Sequence, residues 1–260
     1  MPFNTFPLSP EILTLLFLSG LMAGFVDSIA GGGGLITLPV LLSAGIPPQL
    51  ALGTNKLQGS FGTLSSAYNF IRKKQLVLKE TLPGIIYTFI GAAAGAAAVQ
   101  CMNPDFIRHL IPVLLLLVLL YTFYSKNLGY ADQKAKMKRH TFFIIFGIML
   151  GFYDGFFGPG TGSFWTAALC ILMGFNMTKA AAYTRVMNFT SNIVALILFI
   201  CGGNVLWIPG ICMAMGQIIG ARIGSDMAIR KGAAFIRPIF MGVVGVTIIR
   251  LIYVNYFGKM

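Results

Sequence analysis

Long apolar stretches set the terms for this chain. They fall at about 11–30, 35–46, 50–71, 82–100 and 106–124, then at about 141–157, 162–175, 180–201, 205–227 and 235–256. Several approach the ~20 apolar residues that cross a bilayer. A soluble domain carries roughly a quarter charged residues. Here only 10% of 260 residues are charged and 57% are hydrophobic, with a mean hydropathy of +0.81. The chain reads as an all-α integral membrane protein. The start, MPFNTFPLSPE, lacks the basic region of a cleaved signal, so the first apolar stretch is expected to be retained.

A polar linker, SKNLGYADQKAKMKRH, separates five segments from five. The expected division is a first membrane repeat at 1–125, a basic cytoplasmic linker at 126–139 and a second repeat at 140–260, within one membrane domain. The second segment of each set has only about a dozen residues, roughly 18 Å of helix against a ~30 Å hydrocarbon core. These two are expected to be half-helices or re-entrant pieces. Each repeat then holds about four full transmembrane helices and one short segment after a glycine-rich break.

Motifs recur in the same order across the two sets. GFVD (24–27) matches GFYD (151–154), and TNKLQG (54–59) matches TRVMN (184–188), placing Lys56 opposite Arg185. LPG (82–84) matches IPG (208–210), and DFIRHLIP (105–112) matches AFIRPIF (234–240), aligning Arg108 with Arg237. Ordered self-similarity of this kind marks an internal duplication.

The net charge of +12 could suggest nucleic acid, but its distribution argues otherwise. Arg72, Lys73, Lys74, Lys79, Lys126, Lys134, Lys136, Lys138, Arg139, Lys179, Arg230 and Lys231 all fall on one face if every segment reverses the chain. Such a face is cytoplasmic by the positive-inside rule. Both termini are then outside, and five segments per set turn the second repeat upside down, giving inverted-topology repeats, a common transporter plan.

The stretches GFVDSIAGGGG (24–34) and GFYDGFFGPGTG (151–162) put a carboxylate beside a glycine run within apolar sequence. Non-helical backbone at membrane depth is tolerated only where protein or a water-filled cavity satisfies it. Each run precedes a short helix whose N-terminal N–H groups attract anions. The expected substrate-binding set is Gly31, Gly32, Gly33, Gly34, Gly158, Gly160 and Thr161 at the breaks, with Asn55, Lys56, Gln58, Arg185, Asn188 and Asn192 on the following helices. Lys56 and Arg185 lie about five residues inside their segments, and intramembrane charges face the bundle interior. Asp27 and Asp154 are either proton-coupling groups or members of ion pairs within each repeat, Asp27–Lys56 and Asp154–Arg185. Close packing of glycines and interhelical hydrogen bonding are the bland alternatives. Arg222 and Asp226 suit a local i,i+4 pair, while Arg108 and Arg237 suit snorkelling at helix ends.

Cys101, Cys170, Cys201 and Cys212 show no metal-ligand spacing and are expected to be small packing residues. His109 and His140 lack a partner at metal spacing, and no HExxH or GxSxG occurs, so no enzyme, metal site or cofactor is implied. The GGGG run lacks the Gly-Lys-Ser/Thr of a nucleotide loop.

GFVDSIAGGGGLITLPVLLSAGIPP with ALGTNKLQG resembles the first repeat of the TauE/SafE family of sulfite exporters, and GFYDGFFGPGTGSF with AAAYTRVMNFTSN resembles its second. The resemblance covers about 10–257. It implies a multi-pass transporter of the bacterial cytoplasmic (inner) membrane, with sulfite or organosulfonates as substrates. The family's motif positions carry over onto Asp27, Gly31 to Gly34, Thr54, Lys56, Asp154, Gly158, Gly160, Thr161 and Asn188. Arg185 departs from the lysine expected there; it keeps the charge but offers a planar fork. The reading is a secondary transporter of a small anion working by alternating access. Its partners are that anion and the lipid bilayer, with no nucleic acid, and a homodimer is left open. The rivals are a transporter of a cation or neutral solute using Asp27 and Asp154, a channel-like pore, and a non-transporting membrane subunit.

Overall fold

A computed structural model describes residues 9–103, 105–107, 110–111, 113–114 and 132–231. The helices with defined bounds are α1 (Pro10–Ala30), α2 (Gly34–Ser43), α3 (Pro48–Arg72), α4 (Leu78–Gln100), α5 (Arg139–Phe156), α6 (Thr161–Leu172), α7 (Met177–Cys201) and α8 (Trp207–Lys231). Every regular element among the described residues is helical. The fifth segment of each set lies largely outside these residues, and with it Arg108, His109 and Arg237.

The order of lengths repeats. The first four helices have 21, 10, 25 and 23 residues, and the next four have 18, 12, 25 and 25. Local chemistry sets the boundaries. Ser9 caps α1 by accepting the Ile12 N–H, and Asn176 caps α7 by accepting the Lys179 N–H. Pro48 opens α3, where a missing N–H costs nothing. Glycine breaks end α1 and α5, and the short apolar helices α2 and α6 follow them.

The polarity is that of a membrane protein. Leu15, Ile86, Phe89, Ile197 and Ile219 are exposed, whereas Thr54, Asn55, Lys56, Gln58 and Arg185 are buried. In water such a surface would associate; in lipid it is the solvated face. The stretches Pro10–Ile29, Leu78–Gln100 and Met177–Cys201 are each long and apolar enough to cross a bilayer. The cysteines divide. Cys170 is buried and Cys212 partly so, but Cys101 and Cys201 are exposed, because each sits where its helix ends rather than on a packed face.

The helices assemble in two bundles that do not follow the division of the chain. One holds α1, α2 and α3 with α8; the other holds α5, α6 and α7 with α4. Each fourth helix has crossed to the opposite bundle. Glycine makes these crossings possible. Gly20 and Gly24 of α1 meet Met213 and Gln217 of α8, while Gly91 and Gly95 of α4 meet Ile148 and Phe152 of α5. Residue numbers rise together, so both pairs are parallel. A methyl group built on Gly220 would overlap the Leu21 carbonyl, and one on Gly95 the Phe152 carbonyl. With no hydrophobic drive in lipid, this backbone approach supplies the dispersion contacts that hold helices together.

The two bundles meet chiefly where α3 lies against α7. Gly53 faces Phe199 and Asn204, and Gly59 faces Asn192, so these equivalent helices run antiparallel. Helix ends gather accordingly. The start of α3 reaches the ends of α4 and α7 through Gln49–Met102 and Thr54–Leu206. The starts of α4, α5 and α7 join where Glu80 takes the Tyr183 hydroxyl at 2.7 Å and the Arg139 guanidinium at 2.9 Å. The expected Arg222–Asp226 pair is present at 3.8 Å, and Asn69 of α3 also donates to Asp226.

Gly220→Ala should cost about 1–3 kcal/mol by overpacking the α1–α8 crossing, read as a lower melting temperature in detergent. Ala94→Leu, on an exposed face of α4, should leave the melting temperature unchanged.

Candidate functional site

The glycine breaks of the two sets abut. Gly31, which ends α1 at φ 73°, lies against the backbone of Gly162, and Ser163 donates its hydroxyl to the Gly31 carbonyl. Gly34 packs on Pro159. Gly158 adopts φ 100°, a conformation that side chains resist, and a methyl group there would press on Lys56 Nζ and Asp154 Oδ1.

Lys56 and Arg185 are each the ninth residue of their helices, deeper than the apolar segments alone suggest, because α3 and α7 begin before their apolar runs. That is roughly 12 Å along the axis. Lys56 is 1% exposed and Arg185 0%. Charges so placed require partners. Both have them, but not those expected. Lys56 Nζ pairs with Asp154 Oδ1 at 2.6 Å, and Arg185 Nη1 with Asp27 Oδ2 at 2.7 Å. The pairs within each repeat, Asp27–Lys56 and Asp154–Arg185, are not formed. The physical reason is the antiparallel seam. It brings the base on each third helix alongside the broken first helix of the other set.

Each pair is elaborated differently. Asp27 Oδ1 accepts the N–H groups of Gly32 and Gly33, both at 3.0 Å. These two donors, expected to be free for an anion, are therefore taken by the protein's own carboxylate. Asp154 Oδ2 accepts the Ser191 hydroxyl, and Lys56 also donates to the Asp154 carbonyl and to Asn192 Oδ1, the latter at 3.3 Å. Asn55, Gln58 and Thr37 form a hydrogen-bonded cluster beside Lys56: Asn55 Oδ1 accepts from Gln58 Nε2 at 2.7 Å and from the Thr37 hydroxyl at 2.6 Å.

A small polar recess opens among these groups. Of the expected residues, Asp27, Gly32, Gly33, Gly34, Asn55, Lys56, Gln58, Asp154, Gly158, Gly160, Asn188 and Asn192 line it. Gly31, Thr161 and Arg185 stand outside its wall. Gly31 is used in the contact between breaks, and Thr161 donates to the Gly158 carbonyl at 2.6 Å. Arg185 lies close to Gly162, which does line the recess, and its Nε and Nη2 have no hydrogen-bond partner among the described residues.

Gly59, Thr63, Gly162 and Gln217 complete the lining. Gln217 had a sequence signal, as a lone amide in the apolar, glycine-spaced stretch GQIIGARIG (216–224). Nothing in the sequence said that α8 would cross to meet α1. No group of three or more potential metal ligands occurs among the described residues.

The family model described as Sulfite exporter TauE/SafE matches residues 16–251. The chain belongs to that family. Relatives agree. It is 44% identical over 252 residues, 96% of this chain and 94% of the relative, to the "Probable membrane transporter protein YfcA" of Escherichia coli (strain K12). A "Probable membrane transporter protein" of Haemophilus influenzae is 45% identical over 228 residues, 88% of this chain and 89% of the relative. No solved structure matches the chain. The protein is thus a TauE/SafE membrane transporter, and the recess lies where its two glycine-run motifs meet.

Asp27→Ala would strand the buried Arg185 charge and release two backbone donors, a loss of about 3 kcal/mol or more. Adding Arg185→Met should restore part of that loss, because an apolar replacement of both partners leaves no buried charge. Melting temperatures of the two single variants and the double variant give the coupling.

Proposed function

We propose that this protein is a secondary transporter that moves a small oxyanion, of the sulfite or organosulfonate class, across the bacterial cytoplasmic membrane by alternating access. One observation carries the reading. A buried ammonium, Lys56, lines a polar recess where two helix breaks meet, and buried Arg185, close to Gly162 of its wall, has two nitrogens, Nε and Nη2, with no hydrogen-bond partner among the described residues. An oxyanion settling beside Gly162 would take charge-assisted hydrogen bonds from both sides. The amides of Asn55, Asn188 and Asn192 supply further donors, and the glycine wall lets the ligand approach the backbone.

The antiparallel run of α3 and α7 supports an inverted-repeat plan, in which the substrate sits between repeats and access alternates about it. The moving bodies would be the two bundles rather than the two halves of the sequence, since the seam at α3 and α7 carries the recess. Arg72, Lys73, Lys179 and Arg139, near the end that joins α4, α5 and α7, would face the cytoplasm.

Transport of a cation through Asp27 and Asp154 is the second reading, because both carboxylates line the recess. It is weaker. Asp27 spends both oxygens on N–H donors, and Asp154 is bound to an ammonium and a hydroxyl.

Uptake of sulfite and sulfoacetate by proteoliposomes, under an imposed pH gradient, tests the proposal. Saturable flux is expected, lowered at least ~10-fold by Lys56→Ala, as loss of one charge-assisted contact predicts. Saturable cation flux that survives Lys56→Ala and is lost in Asp154→Asn would replace it with the second reading.

A further inference from the structure

The duplicated aspartates have the same sequence position and different surroundings. Asp27 is held by three fixed donors, the Gly32 and Gly33 N–H groups and Arg185 Nη1. At the positions that match Gly32 and Gly33, the second set has Pro159 and Gly160. Proline has no N–H to give. That turn is stapled without Asp154: Tyr153 donates its hydroxyl to the Pro159 carbonyl at 2.9 Å, Thr161 donates to the Gly158 carbonyl, and the Gly158 N–H goes to the Tyr153 carbonyl at 3.2 Å. The Asp154 carboxylate is left with two side-chain partners, Lys56 and Ser191. Breaking its bond to Lys56 leaves the turn intact, whereas breaking Asp27 from its partners undoes one.

We propose, resting on the anion-transport reading above, that Asp154 is the exchangeable partner of Lys56: it takes up one proton as the anion arrives, and the anion replaces it on the ammonium. The balance is simple. A proton from the aqueous phase adds to an Asp154 carboxylate oxygen, the carboxyl becomes neutral, and Lys56 stays an ammonium paired with the anion. A monovalent sulfonate and one proton then move together without net charge. Asp27–Arg185 stays closed throughout and serves as the frame of the site.

The charged and titratable groups around Asp154 leave it this role. From α3 it meets Lys56. From α7 come Arg185, committed to Asp27 of α1, and Tyr183 and Lys179 near the helix start. From α4 come Lys79, Glu80 and Tyr87; Glu80 is bound to Arg139 and Tyr87 packs on His140, about four turns away along α5. From α6 comes Cys170, and from α5 itself Tyr153, whose hydroxyl donates to Pro159.

The probe is methanesulfonate, which does not titrate near neutral pH, added to purified protein in lightly buffered solution while bound anion and medium pH are both followed. About one proton should be taken up per anion bound. Asp154→Asn should bind at least ~10-fold more tightly, since no carboxylate competes for Lys56, and take up none. Should that variant fail to fold, Ser191→Ala serves. Losing a hydroxyl that stabilises the ionised carboxylate makes protonation easier, so anion binding should persist to higher pH. Anion binding with no proton uptake in the wild type, or with unchanged uptake in Asp154→Asn or an unchanged pH profile in Ser191→Ala, would overturn this coupling and leave the anion reading standing. Failure of the wild type to bind either methanesulfonate or sulfite would overturn the anion reading and the coupling with it.

Discussion

Two ion pairs exchanged across one seam hold this structure to its function. An unpaired ammonium or guanidinium at this depth would cost several kcal/mol in lipid-surrounded protein. The bases sit on α3 and α7, and their carboxylates sit at the breaks of α5 and α1. Each pair therefore joins one bundle to the other. The seam cannot open at Lys56 without exposing charge, unless something else supplies the missing partner. A ligand of the right sign is the simplest such thing, and the recess lies between the pairs.

The glycine breaks fit the same economy. A helix interrupted at membrane depth exposes donors and acceptors that must be met. At the first break the protein meets them with Asp27, and at the second with Tyr153, Thr161 and a proline that removes one donor altogether. The breaks are thus sites where the backbone turns at low cost, lining a space that intact helices would fill with side chains. The two breaks are similar in sequence, and Pro159, standing where the first has Gly32, makes them unequal.

Much of this was legible in the sequence. The apolar stretches marked eight helices within a few residues, including the two short ones, because hydropathy and glycine runs are local signals. The paired motifs marked Asp27, Lys56, Asp154 and Arg185 as one constellation. Their connectivity was not legible. Pairing within a repeat is the natural reading of a duplicated motif, whereas pairing between repeats depends on α3 lying antiparallel to α7. Gln217 was hidden for a related reason, since a lone amide gains meaning only once α8 is placed against α1. The spaced glycines Gly216, Gly220 and Gly224 carried that information in principle, but small-residue spacing names a packing face without naming its partner.

The exchange of fourth helices bears on how the molecule is made. Chains enter the membrane in order from the N-terminus. When α1, α2 and α3 have been inserted, the helix that completes their bundle is still to be synthesised, and α4 has no α5 to meet. The glycine faces of α1 and α4 must then wait in lipid, where a bare glycine surface carries little penalty because the surrounding chains are as apolar as any partner. A soluble protein with such an open core would be exposed to aggregation during the delay. The bilayer makes the late closure tolerable, with Lys56 gaining its acid when α5 follows, whereas Arg185 enters after Asp27 is already in place.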